Sequence, residues 1–185
     1  MLMTERFPTI DEARNWYVVS LDGLRHLKRV VDGAKPQHVS EETLDQIMFM
    51  TQEEWKAFIR RREDEHEAFA SLALLAACEG GIRRDCAWRG ADSNSGNVHH
   101  RRFQRLNSGA GHISLRSIID AWQGALGRDS YFKNYLAELR GLYVDRNALA
   151  HGRASLQQFN FALIYERLSR VRSKWRQVAS DFKGF

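Results

Sequence analysis

Between residues 161 and 182 the apolar side chains Phe161, Ile164, Leu168, Val171, Trp175, Val178 and Phe182 recur at steps that alternate between three and four. An α-helix, advancing about 100° per residue, gathers such a series into one stripe, whereas a strand would scatter it over both faces. An apolar stripe must be covered, so the segment predicts a helix packed against other helices. Helix breakers are scarce. The only prolines are Pro8 and Pro36, placed where helices should start or end.

The same period runs through the rest of the chain. Thr9 and Glu12 form a capping box that opens a helix through Ile10, Ala13, Tyr17, Leu21, Leu24, Leu27 and Val31, which Gly33 and Pro36 end. A short helix from Ser40 follows, with Leu44, Ile47 and Met48 inward. Thr51 and Glu54 form a second capping box. They open a long helix through Trp55, Phe58, Ile59, Phe69, Leu72, Leu75 and Ala76, which the Gly80–Gly81 pair is expected to weaken or bend. Residues 87–112 are rich in Gly, Ser and Asn around a basic centre, and read as one long loop with a helical turn near Arg101–Leu106. Another helix runs from about Ser114 through Ile118, Ile119, Trp122 and Leu126 to Gly127. The next is capped by Asp129 or Ser130 and turns Phe132, Leu136, Leu139 and Tyr143 inward. The expectation is an all-α bundle of five to six helices with one long basic loop, no repeat and no strand. It forms a single domain over 1–185, with N-terminal helices in 1–50 and a core in 51–182.

Hydrophobic residues make up 43% and charged residues 28% of the 185, which is globular composition rather than disorder. A formal charge of +5 permits an anionic partner without demanding one. Cys78 and Cys86 give no disulfide framework, and the chain begins without an apolar leader segment. The longest apolar run, Ala68 to Cys78, is too short to span a bilayer. These features lead to the expectation of a soluble cytoplasmic protein that does not enter membranes. A zinc site from Cys78, Cys86, His99 and His100 is disfavoured, because the spacing suits neither a finger nor a ribbon. No metal or other cofactor is expected.

The densest chemistry lies in Arg146-Asn147-Ala148-Leu149-Ala150-His151-Gly152. Asn147 and His151 are four apart and share a helix face, with Arg146 on its flank. Gly152 suits the left-handed residue that ends a helix, which leaves His151 beside the negative end of the helix dipole. A guanidinium grips phosphate and an imidazole passes protons, so the pair suffices in principle for cutting RNA without metal.

This motif resembles that of the HEPN family (higher eukaryotes and prokaryotes nucleotide-binding). The family's ribonucleases carry Arg, four to six residues, then His, often with a polar residue directly after the Arg. Arg146, Asn147 and His151 match that pattern, and the resemblance covers about residues 51–182. It implies a HEPN-like helical bundle and a metal-independent endoribonuclease with Arg146, Asn147 and His151 as catalytic residues. It further implies a homodimer whose two motif helices share one cleft, and a toxin or phage-defence role with an antitoxin or other defence partner. Acidic residues from a neighbouring helix often support the motif in such proteins. Glu79 and Asp85 are the candidates here.

The basic segment supplies further candidates for RNA contact: His99, His100, Arg101, Arg102 and Arg105, with Phe103 or Trp88 as a stacking surface. The competing reading is a non-catalytic helical module that binds RNA, a nucleotide or a partner protein through the same arginine. A purely structural bundle is the third.

Overall fold

The computed structural model describes residues 8–33, 39–97, 99–109, 113–126, 130–153, 155 and 159–185. Among them the chain is all-helical: α1 (Ile10–Asp32), α2 (Glu41–Ile47), α3 (Gln52–Gly90), α4 (His100–Asn107), α5 (Leu115–Ala125), α6 (Ser130–Ala150) and α7 (Phe161–Val178), with a 3-10 turn at Asp92–Asn94. No helix of the described residues is long and apolar enough to cross a membrane.

Both capping boxes form, Thr9 with Glu12 and Thr51 with Glu54, and Ser114 caps α5 through the Ser117 N–H. Pro36, Gly127 and Asp129, read above as breakers or a cap, lie outside the described residues. The second box starts the 39-residue α3, about 58 Å long, against which α1, α4, α5, α6 and α7 all pack. Near its start, Trp55 and Ile59 form a small cluster with Ile47 of α2, and Leu27 and Val31 of α1 pack against it. That cluster joins residues on both sides of position 50, so the N-terminal helices and the start of α3 form one packed unit. The second half of α3 enters the main core.

α3 itself runs through the Gly80–Gly81 pair without a break. A side chain at Gly81 would run into the backbone of Phe185, so this glycine admits the C-terminal tail across the helix. Two expectations about individual elements change. Phe69 and Met48 point outward, at 61% and 64% exposure, because only one face of their helices is covered. The last helix stops at Val178 rather than reaching Phe182. The chain turns back there, and Phe182 stacks on Trp175 with ring centroids 4.3 Å apart.

The largest correction concerns 87–112, which is not one long loop. α3 continues to Gly90, the 3-10 turn follows, and α4 occupies His100–Asn107. The physical reason is amphipathic: Phe103 is fully buried against Trp122, while Arg101, Arg102 and Arg105 stay outside. Burying such a ring stabilises by about 1.5–3 kcal/mol, enough to fold a short basic helix onto the core. Gly90 lets α4 approach α3, since any side chain there would meet Asn107 and the Phe103 carbonyl.

Candidate functional site

α6 ends as its sequence predicts. Gly152 has φ +66°, the Gly152 N–H donates to the Leu149 carbonyl at 2.9 Å, and the Arg153 N–H donates to the Ala148 carbonyl at 2.7 Å. This pair of bonds around a left-handed glycine is a Schellman closure, and it makes His151 the last residue before the reversal. His151 is exposed, and its N–H still donates to the Asn147 carbonyl at 3.1 Å.

Arg146 and Asn147 line an open pocket of about 490 Å³ between α3, α5 and α6. Its apolar part comes from Leu115, Ile119, Tyr143 and Val144; its charged rim comes from Glu79, Arg116, Arg140 and Arg146. Arg146 is half-buried and donates through Nη1 to Asn147 Oδ1 at 3.0 Å. Among the described residues no carboxylate pairs with it. The other rim cations are engaged: Arg140 with Asp120 and Gln123, Arg116 with Asp120 at 4.0 Å. Tyr143 anchors the floor. Its buried hydroxyl donates to the Leu75 carbonyl at 3.0 Å, and burial pushes its ionisation well above the usual phenol range.

The supporting acids behave differently from one another. Glu79 reaches the pocket rim, but its Oε1 accepts from Arg83 Nε and Nη2 at 2.9 and 2.6 Å rather than from Arg146 or His151. Asp85 is fully buried on another part of α3. It accepts from Arg89 Nε and from the Lys183 N–H, each at 2.9 Å, and so ties the C-terminal tail to α3. It does not line the pocket.

The six basic-segment candidates also separate. Arg101, Arg102 and Arg105 are exposed and His99 is half-buried. His100 is buried, its Nδ1–H donating to the Arg89 carbonyl at 3.0 Å. Phe103 offers no stacking surface because it has no exposed area, and Trp88 lies beneath Lys183 Nζ at 5.3 Å. Burial, reinforced by the nearby Arg89 charge, holds the His99 imidazole below its ordinary range. Cys78 and Cys86 are both buried thiols.

Sequence reasoning missed Arg116 and Arg140. Arg140 precedes Asn147 by seven residues, two helical turns, so the spacing alone places both on one face. Arg116 belongs to another helix, and only packing brings it near. No protein-family model, curated protein or solved structure matches the chain.

Proposed function

We propose that the chain is a metal-independent endoribonuclease of the HEPN type, acting as a homodimer. The observation that carries this reading is Arg146: a half-buried guanidinium on a pocket wall, without a carboxylate partner among the described residues, hydrogen-bonded only to Asn147. A cation left unneutralised in a concave site suits a phosphate.

In this reading a ribose 2′-hydroxyl attacks the adjacent phosphate. One imidazole accepts its proton while another protonates the departing 5′-oxygen, leaving a 2′,3′-cyclic phosphate. Arg146 neutralises charge building on the phosphorane, and Asn147 fixes the guanidinium. Each positioned acid or base contributes roughly 10²–10⁴-fold in rate. A single protomer brings only one motif histidine, so two chains are needed. One ridge of α6 suits close pairing: Ala137, Gly141, Val144 and His151 are exposed, the half-buried Ala148 completes the series at steps of three and four, and Gly141 faces open space. Small side chains let two helices approach and bring the paired motifs into one crevice. A role in toxin or phage-defence systems, with an antitoxin as partner, follows from the resemblance alone.

One observation favours the competing reading of a binding module: His151 does not line the pocket that Arg146 and Asn147 share. The two readings part in one experiment. RNA is incubated with pure protein in EDTA, and wild type is compared with His151→Ala. Cleavage with cyclic-phosphate ends that vanishes in the variant is the expected result. Cleavage retained by the variant would overturn the assignment, and salt-sensitive RNA binding without cleavage would establish the module.

A further inference from the structure

A second concave site lies on the far side of α5. About 590 Å³ in volume, it is lined by His99, Arg101, Arg102, Arg105 and the polar Ser95 and Asn97, and among the described residues no carboxylate contributes to its wall. Its cations differ from the seven arginines that the fold pairs closely with acids. Arg61, Arg62, Arg83, Arg89, Arg140, Arg167 and Arg172 each hold an acidic side chain at 3.0 Å or less. Among the described residues Arg101, Arg102 and Arg105 have none. Among the described residues the Arg102 guanidinium bonds only to the Ala121 carbonyl, at 3.3 Å, where the bare surface of Gly124 lets it lie against α5. Arg101 and Arg105 are four residues apart on one helix of eight, a like-charge arrangement that disfavours the helix. Repulsion of this kind, left uncompensated within the fold, is relieved when an anion enters.

The two pockets share α5 as their common wall. Leu115, Arg116 and Ile119 line the first and Ala125 the second. Arg140 reaches α5 from α6, and Arg102 reaches it from α4. Ile119 and Ala125 are separated by about 9 Å of helical rise. A polyanion touching both sites must therefore bend over a helix roughly 10–12 Å across. A duplex, stiff over about 150 base pairs, does not follow such a surface, whereas a single strand does.

We propose that the α4–α5 pocket binds phosphates of a single-stranded RNA whose adjoining segment lies in the Arg146 pocket. This rests on the ribonuclease reading only in taking RNA as the polyanion.

The test uses the full chain and a 2′-O-methyl RNA single strand of about a dozen nucleotides, which binds but cannot be cut by 2′-oxygen attack. Affinity is measured against salt for wild type and for Arg101→Ala/Arg105→Ala, whose positions are exposed, with thermal melts confirming equal folding. The proposal predicts weaker binding and a salt slope smaller by about 0.7 for each phosphate that the variant no longer neutralises. It also predicts that wild type prefers the single strand to a duplex of equal length. Unchanged affinity and slope in the double variant, no binding by wild type, or equal weakening for strand and duplex would overturn it. Cleavage of an unmodified dinucleotide, too short to reach the second pocket, reports separately on the ribonuclease reading.

Discussion

Arg89 and Asp181 lie 92 residues apart in sequence and meet in a two-pronged ion pair, Nη1 to Oδ2 at 3.0 Å and Nη2 to Oδ1 at 2.8 Å. Arg89 has no exposed surface, and its Nε is given to Asp85. Its guanidinium also lies 4.5 Å over the ring of Trp122. One side chain thus joins α3, the aromatic core and the C-terminal tail. Removing it leaves Asp85 buried without its cation. Arg89→Met should destabilise the fold by about 3–5 kcal/mol, and Arg89→Met/Asp85→Leu should recover part of that stability. Urea denaturation of the three proteins checks both.

Stability should also depend on pH near neutrality. Burial holds both His66 and His99 below the ordinary imidazole value of 6.5. The Ser20 hydroxyl donates to the Trp16 carbonyl at 2.7 Å, so its oxygen accepts from His66 Nε2–H at 2.7 Å; Nδ1 is left bare and buried. With folded values depressed, the contribution to stability is complete above pH 6.5. It is lost as pH falls below that value, because the unfolded chain takes up protons first. Melting temperature should therefore drop between pH 7.5 and 5.5, and His66→Gln/His99→Gln should flatten that drop.

Gly152 is the only described glycine with positive φ, at +66°. Gly152→Ala should cost about 1 kcal/mol, and Gly152→Asn less, because asparagine tolerates the left-handed region better. Chemical denaturation gives the ordering. A variant series in which alanine matches glycine would contradict the Schellman closure at His151.

The two thiols should be inert in the folded protein. Burial pushes Cys86 up to about 11 and Cys78 higher still, so neither is a thiolate at pH 8 and neither is accessible. A chromogenic disulfide reagent should react slowly with native protein and label two thiols rapidly in denaturant.

Much of this architecture was legible in local spacing. Thr9 with Glu12, Thr51 with Glu54, Ser114, and the α7 stripe as far as Val178 are short-range patterns that formed as read. What failed depended on distant partners. Asn97 and Asn107 suggested a loop, yet they bond to the Asp181 carboxylate and the Cys86 carbonyl respectively. Such asparagines look like turn formers until their long-range acceptors are known. Gly81 is understandable only from the arrival of Phe185, and Asp85 only from Arg89 and Lys183. At the candidate site, one turn and a half of helix revealed Arg146, Asn147 and the terminating glycine. The arginine of α5 required the packed fold.

The bareness of the outer α6 edge has a consequence for how the molecule can be altered. Positions such as 137 and 141 govern the distance of closest approach by any neighbouring helix but carry no charge. The ionic groups sit round the corner, in the recess. In the homodimer proposed above, a steric wedge at position 141 would block pairing, and with it cleavage, while leaving the Arg146 recess of each protomer free to hold a phosphate.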